Sequence, residues 1–149
     1  MLIKSIQATS GPVLELGAGY ISTPLIHWLC AEDRRKVVTC EDDEEYFQIA
    51  RKFRSKTHTI VKINDWARDI RKYKDRLWSV IFVDNNENHR AESIITLKDN
   101  GIFFVLHDTN DPQYGYDKIY PLFKYRYDWK FSVNWVAVLS NYCDLIWML

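Results

Sequence analysis

Residues 13–22 read V-L-E-L-G-A-G-Y-I-S, and this stretch decides the fold. A short apolar run carries an acid, Glu15, and is followed by Gly17 and Gly19, spaced one apart. Glycine accepts backbone angles and close approaches that a Cβ forbids, so the pair predicts a tight turn at the end of a strand. Ser22 or Thr23 as N-cap, with Pro24 at the first helical position, then predicts a helix start. The first turn of a helix offers unpaired N–H groups to a polar or anionic ligand.

Outward from that turn, apolar runs alternate with amphipathic segments. Strands are expected at 13–16, 36–40, 57–63, 78–83 and 102–106. Helical or amphipathic segments are expected at 42–54, 67–76 and 92–98. In the first of these, Asp42, Asp43, Glu44 and Glu45 lead while Arg51, Lys52 and Arg54 trail, the order that a helix dipole favours. Residues 1–7 suit a short helix or an extended arm. Residues 116–127 read as helical, and 129–135 with 136–140 as an antiparallel pair. The alternation predicts an α/β fold: a Rossmann-like doubly wound sheet, mostly parallel, with a C-terminal antiparallel strand pair, in a single domain over 1–149.

Twenty basic residues balance twenty acidic ones, so no net field draws nucleic acid or an anionic membrane to the chain. No apolar run has the length of a signal peptide or a membrane span. Cys30, Cys40 and Cys143 stand far apart, without the paired spacing of a zinc site. Reduced thiols and a cytoplasmic location are the expectation.

Five apolar runs end in polar groups: Glu15 with Gly17, then Glu41, Asn64-Asp65, Asp84 and His107-Asp108. In an open parallel sheet, ligands bind beyond the carboxyl ends of the strands, so these ends predict a groove. The glycines belong to no P-loop, because Gly-Tyr-Ile-Ser stands where Gly-Lys-Ser/Thr is needed. A dinucleotide fingerprint would need a third glycine where Ser22 stands. An acid at Glu15 repels a pyrophosphate but accepts hydrogen bonds from an amino-bearing ligand.

The set Glu15-Leu16-Gly17-Ala18-Gly19, Glu41, Asp65 and Val83-Asp84-Asn85 resembles the motifs of class I S-adenosylmethionine-dependent methyltransferases. The resemblance implies S-adenosylmethionine (SAM) as cofactor. Glu15, Gly17, Ala18, Gly19 and Tyr20 would hold its amino-acid part, and Glu41 with Asp42 its ribose. Asn64, Asp65 and Trp66 would flank the adenine, with Asp84 closing the site. The blocks I-F-V-D-N-N-E-N-H-R and G-I-F-F-V-L-H-D-T are similar to a subgroup of small-molecule and sugar O-methyltransferases. Departures from the family pattern are Ile21 in place of a third glycine and Asn100 in place of the first glycine before the fifth strand.

The resemblance implies methylation of an oxygen on a small-molecule or sugar acceptor. His107, Asp108 and His89 are the candidate catalytic residues, with either histidine as base. Catechol-type relatives imply Mg²⁺ on Asp84, Asp108 and Asn110. The plainer alternative makes Asp108 a turn cap and Asp84 an organiser of the groove. Two other functions remain open at this point. One is a non-catalytic SAM- or nucleotide-binding module working with a partner or as a homodimer. The other is an NAD-binding Rossmann enzyme.

Overall fold

The structure, a computed structural model, describes residues 1–148. In chain order the helices and strands are α1 (Leu2–Gln7), β1 (Val13–Leu16), α2 (Ser22–Ala31), β2 (Val37–Glu41), α3 (Glu44–Ala50) and β3 (His58–Lys62). They continue with α4 (Trp66–Asp69), β4 (Trp78–Val83), α5 (Glu87–Leu97), β5 (Gly101–Leu106), β6 (Tyr125–Trp129) and β7 (Val136–Ser140). The strands form one sheet of order β3-β2-β1-β4-β5-β7-β6. The first five are parallel, and β7 runs antiparallel to both β5 and β6.

The burial of β1, β4 and β5 along almost their whole length follows from their central place, covered on both faces. Side chains alternate between those faces. Leu14, Leu16, Ile81, Val83, Phe104 and Leu106 meet Trp66, Ile94, Leu97 and Ile119 on one side. Val13, Val37, Val80, Phe82 and Val105 meet Ile6, Ile26 and Cys30 on the other. Each large side chain fully removed from water in these layers stabilises the fold by about 1.5–3 kcal/mol. From β1 the chain crosses to β2 on one side and later returns to β4 on the other. The gap between β1 and β4 is therefore a topological switch point, where a crevice opens beyond the strand ends.

Several boundaries differ from the sequence reading, each for a local reason. Of the two forms open to residues 1–7, the structure has the short helix. Neither Ser22 nor Thr23 caps α2: Ile21 is the N-cap, and the Thr23 hydroxyl turns inward to Gly19 and Glu15. The helix expected over 42–54 is capped by Asp43 and ends at Ala50, followed by a single 3₁₀ turn. Helix α5 begins five residues before the expected 92, because the Asn86 side chain accepts the Asn88 N–H and starts the helix there. Residues 116–127 are not a helix. They form two 3₁₀ turns and then enter β6, so the antiparallel pair is 125–129 with 136–140. Pro121 lacks the N–H that helix propagation needs, and Tyr125, Tyr127 and Trp129 alternate as a half-covered strand does. No described helix is long and apolar enough to cross a membrane.

Candidate ligand-binding and active site

The turn after β1 is built around Gly17, whose φ is 88°. A Cβ there would lie 2.3 Å from the Asp84 carbonyl oxygen and 2.5 Å from the Asn85 nitrogen. Glycine is thus required by packing of the turn on the end of β4, not by open space for a ligand. Main-chain bonds lock the junction: the Gly17 N–H donates to Cys40 O at 2.9 Å, and the Asp84 N–H to Leu16 O at 2.7 Å.

Glu41, at the end of β2, spans two elements. Its Oε2 accepts the Ala18 N–H at 2.6 Å, and its Oε1 accepts the Asp43 N–H at 2.7 Å. Burial raises its pKa, against the pull of those main-chain donors. Each carboxylate oxygen has a second lone pair, so the residue can still accept from hydroxyls outside the protein.

Beyond these strand ends lies a cavity of about 1090 Å³. Its polar lining includes Ala18, Gly19, Tyr20, Glu41, Asp42 and Asp84, and its apolar lining Leu2, Ile3, Leu25, Phe82, Val105 and Val136. Arg90 and His107 also line the cavity.

Arg90 organises the cavity floor. It is 6% exposed, and its guanidinium donates to Asn85 O at 2.5 Å, His107 O at 3.0 Å, the Tyr116 hydroxyl at 3.3 Å and Asp84 Oδ1 at 2.8 Å. It also lies 3.9 Å from the centre of the Tyr114 ring, within cation–π range. One side chain thereby ties together the ends of β4 and β5 and the loop that follows β5.

The His107 Nδ1 lies 3.0 Å from Asp108 Oδ1 and 3.4 Å from Asp84 Oδ1, aimed squarely at neither. Contact with Asp84 raises its pKa above the ordinary imidazole value; burial opposes this, and the charges of Asp84 and Asp108 add to the rise. Asp108 itself sits at φ 55°, a left-handed conformation uncommon outside glycine. That bend turns its carboxylate toward His107.

Asp84, His107 and Asp108 present ligand atoms within 4.8 Å of one another, which is metal-like spacing. The arrangement does not fit Mg²⁺. Arg90 nitrogens lie 2.8 Å from Asp84 and 3.7 Å from Asp108, so a fixed organic cation already serves both carboxylates. A Mg²⁺ ion demands near-octahedral oxygen ligation. Asn110, the third expected ligand, is used elsewhere: its Oδ1 accepts the Trp135 N–H at 3.0 Å.

Of the residues singled out in the sequence, Ala18, Gly19, Tyr20, Glu41, Asp42, Asp84 and His107 meet around the cavity. Gly17 lies beneath it, and Asp108 stands behind His107. Glu15 does not reach the cavity; it is fully buried under α2, bound to Thr23 and Thr39. Asn64, Asp65 and Trp66 do not reach it either. Asp65 caps α4 through the Arg68 N–H, the Asn64 N–H donates to Asp69, and Trp66 is buried in the core. His89 sits half-buried on α5, away from the cavity lining. Sequence reasoning missed Arg90, Asn86, Tyr46 and the apolar lining. The one available signal for Arg90 was its place one turn after Asn86, where a helix beginning at the strand end aims a long side chain back at that end.

No protein-family model and no curated protein sequence matches the chain. Solved structures do. A candidate caffeoyl-CoA O-methyltransferase from Staphylococcus aureus superposes with TM-score 0.69 at 12% identity, over 93% of this chain and 79% of that one. The SAH-bound methyltransferase PaMTH1 of Podospora anserina gives 0.70 at 14%, over 93% and 75%. Spermidine synthase from Thermotoga maritima gives 0.68 at 22%, and there the chain matches 93% of itself but only 56% of the longer enzyme. At such identities the likeness is one of architecture. With its parallel core, reversed last strand pair and crevice between β1 and β4, the chain has the Rossmann-like fold of the class I SAM-dependent methyltransferases.

Proposed function

We propose that the cavity binds SAM and that the protein transfers the methyl group to an oxygen of a small-molecule acceptor. The observation that carries this reading is Glu41, held by the Ala18 and Asp43 amides with lone pairs to spare at the cavity wall. Paired ribose hydroxyls are the ligand that such a carboxylate accepts from. The volume exceeds the roughly 300–1,000 Å³ of a site for one drug-sized molecule, so cofactor and acceptor fit side by side. The apolar lining favours a small organic acceptor, and the S. aureus neighbour is described as acting on such a compound.

Bound SAM supplies an activated methyl group. The residues lining the cavity would hold the acceptor oxygen against that methyl group, and such positioning is expected to be the largest contribution to rate. His107 takes the acceptor proton. Its Nδ1 lies near Asp84 and Asp108, whose charges stabilise the imidazolium, and Nε2 is the nitrogen left for the substrate. Arg90 holds Asp84 in place for that task.

Glu41→Ala is expected to weaken S-adenosylhomocysteine (SAH) binding on the order of 100-fold, since a charged hydrogen-bond partner and the order of the turn are lost together. Calorimetric titration measures it; unchanged affinity in a folded variant rules out the cofactor assignment. His107 must be neutral to accept a proton. Its raised pKa therefore places the rising limb of turnover against pH above the ordinary imidazole value of about 6.5. Asp84→Asn moves that limb to lower pH. By linkage, the stability that His107 gains from its carboxylates is complete below about 6.5 and fades as pH climbs through the raised value.

A further inference from the structure

Glu15 has no role in the site just described, yet it sits directly beneath the cofactor turn in an ordered polar row. Glu15 lies opposite Thr39 in the sheet register. The Thr39 hydroxyl donates to Glu15 Oε2 at 2.6 Å, so its oxygen accepts from His58 Nε2 at 2.8 Å. His58 Nδ1 is then an acceptor and receives the proton on His27 Nδ1 at 3.0 Å. On the other side, the Thr23 hydroxyl donates to Glu15 Oε2 at 3.0 Å and accepts the Gly19 N–H at 3.0 Å. Thr23 and His27 stand one turn apart on α2, so the helix clamps both ends of the row.

Every group in the row has one consistent direction, and all of it converges on Oε2. Oε1 is buried and has no hydrogen-bond partner among the described residues; neither has the nearby Ser22 hydroxyl. A buried carboxylate with one bare oxygen is costly, and a proton on Oε1 relieves the cost. Burial pushes the Glu15 pKa up to about 7, against the hydrogen bonds from Thr39 and Thr23. The titratable groups around it are Asp84 from the end of β4, Cys40 and Glu41 from β2, His58 from β3 and His27 from α2. Of these, burial holds His58 near 4 and the Cys40 thiol near 12, so both are uncharged at neutral pH.

We propose that Glu15 is a proton-linked charge sensor under the turn: a positively charged ligand in the cavity expels its proton, and the site thereby distinguishes cationic SAM from the neutral product SAH. This rests on the reading of the cavity as a SAM site. SAM carries a sulfonium and an ammonium against one carboxylate, whereas SAH has lost the sulfonium charge. Ionised Glu15 attracts the first and is indifferent to the second. After methyl transfer the attraction vanishes, Glu15 regains its proton from solvent, and the product is held less firmly.

The test titrates SAM and SAH into the intact protein at pH 7, in buffers of different ionisation enthalpy. SAM binding is expected to release up to about half a proton, set by a group titrating near 7, and SAH binding close to none. The SAM-to-SAH affinity ratio is expected to rise on the order of fivefold to tenfold between pH 6 and 8. Glu15→Gln keeps the acceptor for both threonines; it should still bind SAH while losing the proton release and the pH dependence. His27→Gln should retain both. No proton release with SAM, equal release with SAH, or release that survives in Glu15→Gln overturns the proposal. If neither nucleoside binds wild-type protein, the cofactor reading of the cavity fails instead. Should Glu15→Gln not fold, proton release with SAM is read in His107→Gln, which removes the cavity imidazole that titrates in the same range; release that disappears there overturns the proposal.

Discussion

Gly17→Ala is expected to cost about 3–5 kcal/mol of stability, combining strain at a left-handed backbone position with overpacking against neighbouring main chain. Its φ of 88° already excludes most side chains. The methyl group would then meet the Asp84 carbonyl at 2.3 Å. That carbonyl has nowhere to go, because the Asp84 N–H is bonded to Leu16 and its side chain to Arg90. Gly19→Ala is the control. A Cβ at Gly19 meets the Ser22 hydroxyl, a side-chain oxygen that can rotate away. Urea unfolding should show a much lower midpoint for Gly17→Ala at an unchanged slope, and a modest change for Gly19→Ala. Equal effects would mean that the turn does not pack on β4 as described. Any loss of SAH binding in Gly17→Ala would follow from a disordered turn, not from a methyl group occupying the ligand's place.

Arg90→Met is expected to destabilise by about 3–5 kcal/mol, the usual cost of removing one partner from a buried ion pair. The loss leaves the Asn85 carbonyl without its Arg90 donor, the His107 carbonyl with the Tyr116 hydroxyl alone, and Asp84 without its cation. Lysine restores the charge but not the planar fork, so Arg90→Lys should recover only part of the loss. The same variant tests the metal question. With the guanidinium gone, Asp84, His107 and Asp108 become an unneutralised cluster within 4.8 Å. Millimolar Mn²⁺ should then raise the thermal midpoint of Arg90→Met and leave the wild type unmoved. A comparable shift in the wild type would show that Arg90 does not preclude a cation.

The strand ends were readable because a parallel sheet is apolar along its buried length and turns polar where it leaves the core. By that logic Glu41, Asp84 and His107 belong at strand ends, and all three line one cavity. The logic failed for Glu15 because Glu15 is within a strand, not at its end. Parity was the available clue: Glu15 shares a face with Val13, and both faces of a central parallel strand are covered. Asp65 misled for another reason. An aspartate before a short helix satisfies main-chain donors there, and no pattern in one sequence separates that duty from ligand binding. Arg90 was hard to read because two of its partners are main-chain carbonyls, which leave no trace in side-chain identity, and Tyr116 comes from a loop whose path one sequence does not reveal. The tail was misread where aromatic residues suit helix and strand alike, and Pro121 was the deciding residue.

Because one guanidinium knots three loops at the base of the cavity, that base has little freedom to adapt to ligands of different outline. The solvent-facing part of the lining is Ile3, Tyr20 and Ile21, at 44%, 58% and 79% exposure, so the rim of the cavity is the first turn of α1 with the Tyr20–Ile21 corner, set against a base tied down by Arg90.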